Sequence, residues 1–158
     1  MSTYSKFEEY KMLVEDTAKQ IDRRKNESNL FTTINSIFLT AIAILLKDSG
    51  LDNWAIAAGA MVIVIAGITI SKTWEDMIDN YRKLSKLRYQ VLWEMEEHDL
   101  PDSVKIYHRE QELYPRDEEG KQVVTKGVFA DTEKRLPRIF MVLYIISFLI
   151  IILEFIIG

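Results

Sequence analysis

Residues Ile139–Ile157 read IFMVLYIISFLIIILEFII, nineteen positions with a single charge. A stretch that long and that apolar is a membrane-spanning helix. Working outward, two shorter runs share its character: LFTTINSIFLTAIAILL at Leu30–Leu46 and WAIAAGAMVIVIAGITI at Trp54–Ile70. At ~1.5 Å rise per residue, runs of this length make about 26–28 Å of helix, close to the ~30 Å hydrocarbon core of a bilayer. The first run is the least apolar and taken alone resembles a buried soluble helix. Its charged flanks and its tight connection to the second run mark it as a span.

Basic residues orient the three runs. Of twenty Lys and Arg, six precede the first run (Lys6 to Lys25) and thirteen lie between the second and third (Lys72 to Arg138). The short connection holds only Lys47, and none follows the third run. Basic flanks stay in the cytoplasm. The expected layout is a cytoplasmic N-terminal helix at 1–29, a first span at 30–46, an external turn at 47–53 and a second span at 54–70. A cytoplasmic helical region at 71–138 and a third span at 139–157 follow, leaving the C-terminus outside.

At 158 residues the chain is one domain by length, and its near-neutral mean hydropathy of −0.03 averages apolar spans with a charged remainder. The first apolar run follows a long mixed-charge segment, which is not the pattern of a signal peptide. Without cysteine there is no disulfide, thiol catalysis, thiolate metal site or palmitoylation. Residues 71–138 hold thirteen bases against fifteen acids. A face so nearly neutral excludes nucleic acid as a partner, since binding it takes a basic surface.

No Gly or Pro interrupts Ser5 to Asp48, so one helix of about 60 Å is expected to run through the first span. A second continues from Trp54 to Leu100, where Pro101 stops it. The pair forms a long antiparallel hairpin extending into the cytoplasm. Beyond the second span, Met77, Tyr81, Leu84, Arg88, Val91 and Met95 alternate spacings of four and three, a heptad-like oligomer seam. Tyr10, Val14, Thr17 and Ile21 carry a similar stripe on the first helix. A short charged helix from Pro101 to Tyr114, a loop with a possible small hairpin over 116–129, and a last helix capped by Asp131 or Thr132 complete the chain.

Within the first span, Asn29, Thr33, Ser36 and Thr40 share one face, and lipid offers such groups no partners. In the second span Ala55, Ala58, Gly59, Ala66, Gly67 and Ser71 are small enough for close helix approach. The third span has neither stripe and reads as lipid-facing. The stripes serve one of three ends: packing spans one and two within a chain, lining the centre of a ring of copies, or joining copies without an aqueous path.

No phosphate loop, nucleophile elbow or metal motif is present, so neither an enzyme nor a cofactor is expected. Glu94 and His98 sit four apart, but Glu96, Glu97 and Asp99 around them read as a solvated acidic helix end. His108 reads as exposed. Arg23-Arg24-Lys25 is a topology anchor facing lipid headgroups. Glu154, the one acid within a span, is a candidate for ion or proton handling close to the outer interface. Trp54 and Trp74 fit interface anchors.

The arrangement resembles the RipA-like family of small octameric bacterial inner-membrane proteins. The resemblance rests on Tyr10-Lys11-x-x-Val14-Glu15, Arg23-Arg24, Asn29 and Asn35, then Trp74, Asn80-Tyr81-Arg82-x-Leu84, Leu100-Pro101, and Glu133-Lys134 with Pro137. More distantly the chain is similar to SLATT-type membrane effector modules, which implies pore formation. The closer resemblance implies a homo-oligomer, an octamer, in the bacterial cytoplasmic membrane, with lipids as partners and no enzymatic activity. The expected protein is therefore an all-α, oligomeric scaffold with three transmembrane helices that acts through its cytoplasmic helices. The alternative is a pore or membrane-disrupting effector lined by the first span.

Overall fold

A computed structural model describes residues 5–49, 54–100, 105–113 and 129–157. Four helices follow in order: α1 (Lys6–Ser49), α2 (Trp54–His98), α3 (Ile106–Leu113) and α4 (Phe129–Ile157), and no strand occurs among the described residues. Three of them, α1, α2 and α4, carry stretches long and apolar enough to cross a membrane.

Local chemistry explains the helix ends. α1 opens on a capping box: the Ser5 hydroxyl accepts the Glu8 amide at 3.3 Å, and the Glu8 carboxylate accepts the Ser5 amide at 3.1 Å. It then runs past Lys47 to Ser49, so the first residues of the expected turn are still helical. The remainder of that turn, 50–53, lies outside the described residues, as do Pro101–Val104 and residues 114–128, which take in all but the last residue of the loop expected over 116–129. At the end of α2 the amides of Asp99 and Leu100 both bond the Met95 carbonyl at 3.0 Å. α4 starts at Phe129, earlier than a cap at Asp131 or Thr132 allows, and continues through a buried Pro137.

The chain divides into two compact units, and α1 and α2 contribute to both. The first comprises residues 1–25 and 78–131. Its described interior holds Thr17 and Gln20 from α1 and Ile78, Leu92 and Glu96 from α2, with α3 laid against the far end of α2. The second comprises 26–77 and 132–158. Here α1, α2 and α4 pack around Asn35, Ile42, Ala60, Val64, Ser71, Trp74, Phe140, Tyr144 and Ile151. On α2 the buried positions Ala57, Ala60, Val64, Gly67, Ser71, Trp74 and Ile78 recur at spacings of three and four, one continuous face.

Candidate functional site

Each unit is organised by one buried polar side chain that joins three helices. In the second unit this is Asn35, fully buried on α1. Its amide nitrogen donates to the Phe31 carbonyl at 2.8 Å. Its side-chain oxygen accepts the Ser71 hydroxyl of α2 at 2.9 Å and the Tyr144 hydroxyl of α4 at 3.0 Å. The Tyr144 oxygen is also 3.2 Å from the Asn35 backbone carbonyl. Away from water every such group needs a partner within the protein, and Asn35 satisfies both neighbours at once.

Gly67, one turn before Ser71, makes the arrangement possible. A Cβ at this position would clash with the Tyr144 ring. One level along, the Trp74 indole stacks on Phe31 (centroids 5.9 Å apart, planes 6° apart) and leans on Phe140 at 6.2 Å. Its N–H donates to the Ser28 hydroxyl at 3.3 Å, which in turn donates to Glu133 at 3.3 Å. Beyond it Glu75 accepts from Arg138 at 2.8 Å and from Lys72 at 3.2 Å, and Lys72 also pairs with Asp76 at 2.9 Å. Trp74 is thus a core residue of the three-helix packing as well as a residue near a span end.

In the first unit the organiser is Glu96, only 1% exposed. Reading it as part of a solvated acidic helix end is therefore corrected. Its carboxylate accepts the Tyr10 hydroxyl of α1 at 2.7 Å. It also accepts the backbone amides of Tyr107 and His108 at 3.0 and 3.1 Å. These are among the first amides of α3, which lack helical partners, so Glu96 caps α3 from another helix where the residue at the cap position, Lys105, cannot. Burial alone would raise the Glu96 carboxyl. The hydrogen bonds from Tyr10, Tyr107 and His108 outweigh it and hold the group below its ordinary range. Burial, and then the bond to Glu96, pushes the Tyr10 hydroxyl well above its usual value, so it stays a donor.

His108 also departs from the exposed reading. Its ring stacks on Trp93 at 4.5 Å, with Nε2 2.5 Å from Glu97 and Nδ1 3.5 Å from Glu96. Tyr107 packs against Tyr10 and Tyr89. Glu94 and His98 are both exposed on the last turns of α2. No group of three or more acidic, His or Cys side chains is poised for a metal among the described residues. Of the basic anchor, Arg23 and Lys25 are exposed. Arg24 is half-buried, and burial and the nearby Arg82 push its guanidinium downward.

The six seam residues do not share one environment. Met77, Tyr81, Arg88 and Met95 are half-buried, while Leu84 and Val91 are exposed. Arg88 is taken up by Asp16 of α1 at 2.6 Å, and Tyr81 lends its carbonyl to Gln20, whose amide also approaches Ser85 at 3.3 Å. The face that α2 buries in this unit runs through Ile78, Leu92 and Glu96 instead. At 100° per residue that face lies about 90° around the helix from the seam. On α1 Thr17 is buried, Tyr10 and Val14 are half-buried, and Ile21 is exposed.

Asn29, Thr33, Ser36 and Thr40 are all exposed. The three hydroxyls each donate to the carbonyl four residues back, at 3.0, 2.8 and 2.8 Å. Asn35, beside them in sequence, is the polar residue of this span that packs inward. The small residues of α2 divide likewise: Gly67 and Ser71 are buried, Ala66 is half-buried, and Ala55, Ala58 and Gly59 are exposed. Glu154 falls in the last turn of α4, and its side chain lies outside the described residues.

Both polar nodes bond one helix to another, Asn35 to Ser71 and Tyr144, and Glu96 to Tyr10 and the first amides of α3. Asn35 was legible as a polar residue within a span, whereas Glu96 carried one weak signal, its place on the face of Ile78 and Leu92. No curated protein and no solved structure matches this sequence. Residues 7–153 match the octameric membrane protein family (8xMP) across all four helices, and the chain belongs to that family, in agreement with the RipA-like resemblance.

Proposed function

We propose that the protein is a non-enzymatic scaffold of the bacterial cytoplasmic membrane, a homo-oligomer whose first unit forms the assembly and contact surface on the cytoplasmic side. One observation carries this reading. In the first unit, which the basic residues assign to the aqueous side, α2 exposes Leu84, Leu87 and Val91 along one face. Apolar side chains in a row on a water-facing helix call for a covering partner. Membership of an octameric family supplies one, a second copy of the chain. The half-buried Met77 and Met95 flank the same stripe, so the seam read from spacing serves contacts between chains better than contacts within one.

The test is Leu84→Asp. The octamer purified in detergent is expected to fall to smaller species, by mass photometry or light scattering, with helix content retained. An unchanged mass would remove the seam from assembly.

A second reading, an oligomeric pore lined by α1, draws on a different observation. Thr33, Ser36 and Thr40 point out of their own bundle, which is where a lumen would need them.

A further inference from the structure

The first unit carries an outward stripe on each of its two long helices. On α2 it is Leu84, Leu87 and Val91, followed one turn on by Glu94, all exposed. On α1 it is Lys11, Val14, Ala18 and Ile21, of which Val14 is half-buried and the others exposed. Both stripes follow spacings of three, four and three, the repeat of a helix–helix seam. Their levels are fixed by contacts inside the unit. Asp16 pairs with Arg88, the Gln20 amide approaches Ser85, and the Tyr10 hydroxyl bonds Glu96, so α1 and α2 run antiparallel. Counting along the helices from those pairs brings Ile21 level with Leu84, and Ala18 level with Leu87. It also brings Val14 level with Val91, and Lys11 level with Glu94.

Within one chain the two stripes do not meet. The buried positions are Thr17 and Gln20 on α1, and Ile78, Leu92 and Glu96 on α2. From these, at ~100° per residue, the α1 stripe is turned forwards and the α2 stripe backwards by about a quarter-turn or more. Because the helices are antiparallel, the stripes leave the pair on opposite sides. Copies inserted in the same direction are related by rotation about the membrane normal, which preserves depth, so level residues stay level between neighbours. A contact of the α2 stripe with its own equivalent would be two-fold and would end at a dimer, whereas a ring is built from two different faces. It would also set Glu94 against Glu94. The α1 stripe instead offers an apolar side chain at three levels and a lysine opposite Glu94 at the fourth.

We infer that in the octamer the Leu84–Leu87–Val91 stripe of each copy seats on the Val14–Ala18–Ile21 stripe of the next, with Lys11 and Glu94 paired at the end of the contact. The occupant of each stripe is a second copy of this chain. The inference names the partner of the assembly seam proposed above and rests on that reading, in which the first unit lies in water.

The natural absence of cysteine allows a direct test. The double variant Ile21→Cys/Leu84→Cys, oxidised or treated with a short bis-maleimide in membranes, should give a ladder of linked chains extending past the dimer. Each single variant should leave the chains unlinked. Val14→Cys/Val91→Cys repeats the measurement should the first pair fail to assemble. Val14→Cys with Leu84→Cys, about two turns out of register, should give no ladder. The charges supply a second readout: Lys11→Glu should shift the octamer toward smaller species in detergent, and Lys11→Glu/Glu94→Lys should restore it. A swap that fails to restore it removes the ion pair from the contact. An intact octamer that yields only monomer from both cysteine pairs overturns the contact, as does a linked dimer from Leu84→Cys alone at the yield of the double variant. An octamer unchanged by Leu84→Asp removes the seam and this contact with it. Dissociation by Leu84→Asp, with no ladder from either pair, keeps the seam and removes only α1 as its partner.

Discussion

Gly67 and Tyr144 show what one atom decides. The tyrosine ring occupies the space where any larger residue at 67 would place its Cβ, and the ring's hydroxyl is held by Asn35. Gly67→Ala must push the ring away and so loosen the Asn35 bonds as well. Overpacking of this kind costs about 1–3 kcal/mol. The expected result is a lower thermal midpoint in detergent, with Gly59→Ala as the comparison, since nothing in the chain meets a side chain there. Equal effects of the two substitutions would contradict the close approach. The requirement at Gly67 could not be read from a single sequence, where it appeared only as one of several small residues. Which of them touches an aromatic ring depends on a residue nearly eighty positions away.

At the scale of the element, α3 has eight residues and too few hydrogen bonds to stand alone in water. It is held by Glu96 at its N-terminus and by the rings of Tyr10, Tyr89 and Trp93. Because the Glu96 carboxyl is held below its ordinary range, its contribution is complete above the unfolded value of about 4.3 and is lost as pH falls through the lower folded value. α3 should therefore remain docked at pH 5 and release only once the pH falls below that unfolded value. Hydrogen exchange at the Tyr107 and His108 amides reads this directly. Glu96→Gln should accelerate that exchange at pH 7, since charge-assisted bonds of this type contribute about 1.5–3 kcal/mol. Exchange unchanged in the variant would mean that the aromatic contacts alone hold the helix. The existence of α3 was readable from its charged run between two prolines. Its anchoring was not, because only its place on the face of Ile78 and Leu92 distinguishes Glu96 from Glu94, Glu97 and Asp99, and the amides it caps belong to another helix.

At the scale of the whole molecule, the hydroxyl face of α1 points out of its own bundle, and contact between copies and a water-filled lumen make opposite predictions for it. The contact reading expects no ion flux through the purified octamer in liposomes, and no change of flux in Ser36→Leu/Thr40→Leu. A sustained flux that this pair abolishes would establish the pore. The hydroxyls do not decide between the two by themselves, as each is already bonded to its own helix and makes no demand for water.

Run length and the basic residues by themselves determined the three spans and the direction expected of them, because the bilayer acts on every residue of a span through its average character. The absence of Gly and Pro between Ser5 and Asp48 likewise determined that α1 continues unbroken beyond its span. Only the tertiary structure decided which face of each helix turns inward. Helical spacing names candidate faces, but a quarter-turn of rotation separates the Leu84 seam from the face α2 buries. That rotation is set by partners distant in sequence: Asn35 with Ser71 and Tyr144, and Glu96 with Tyr10 and the first amides of α3.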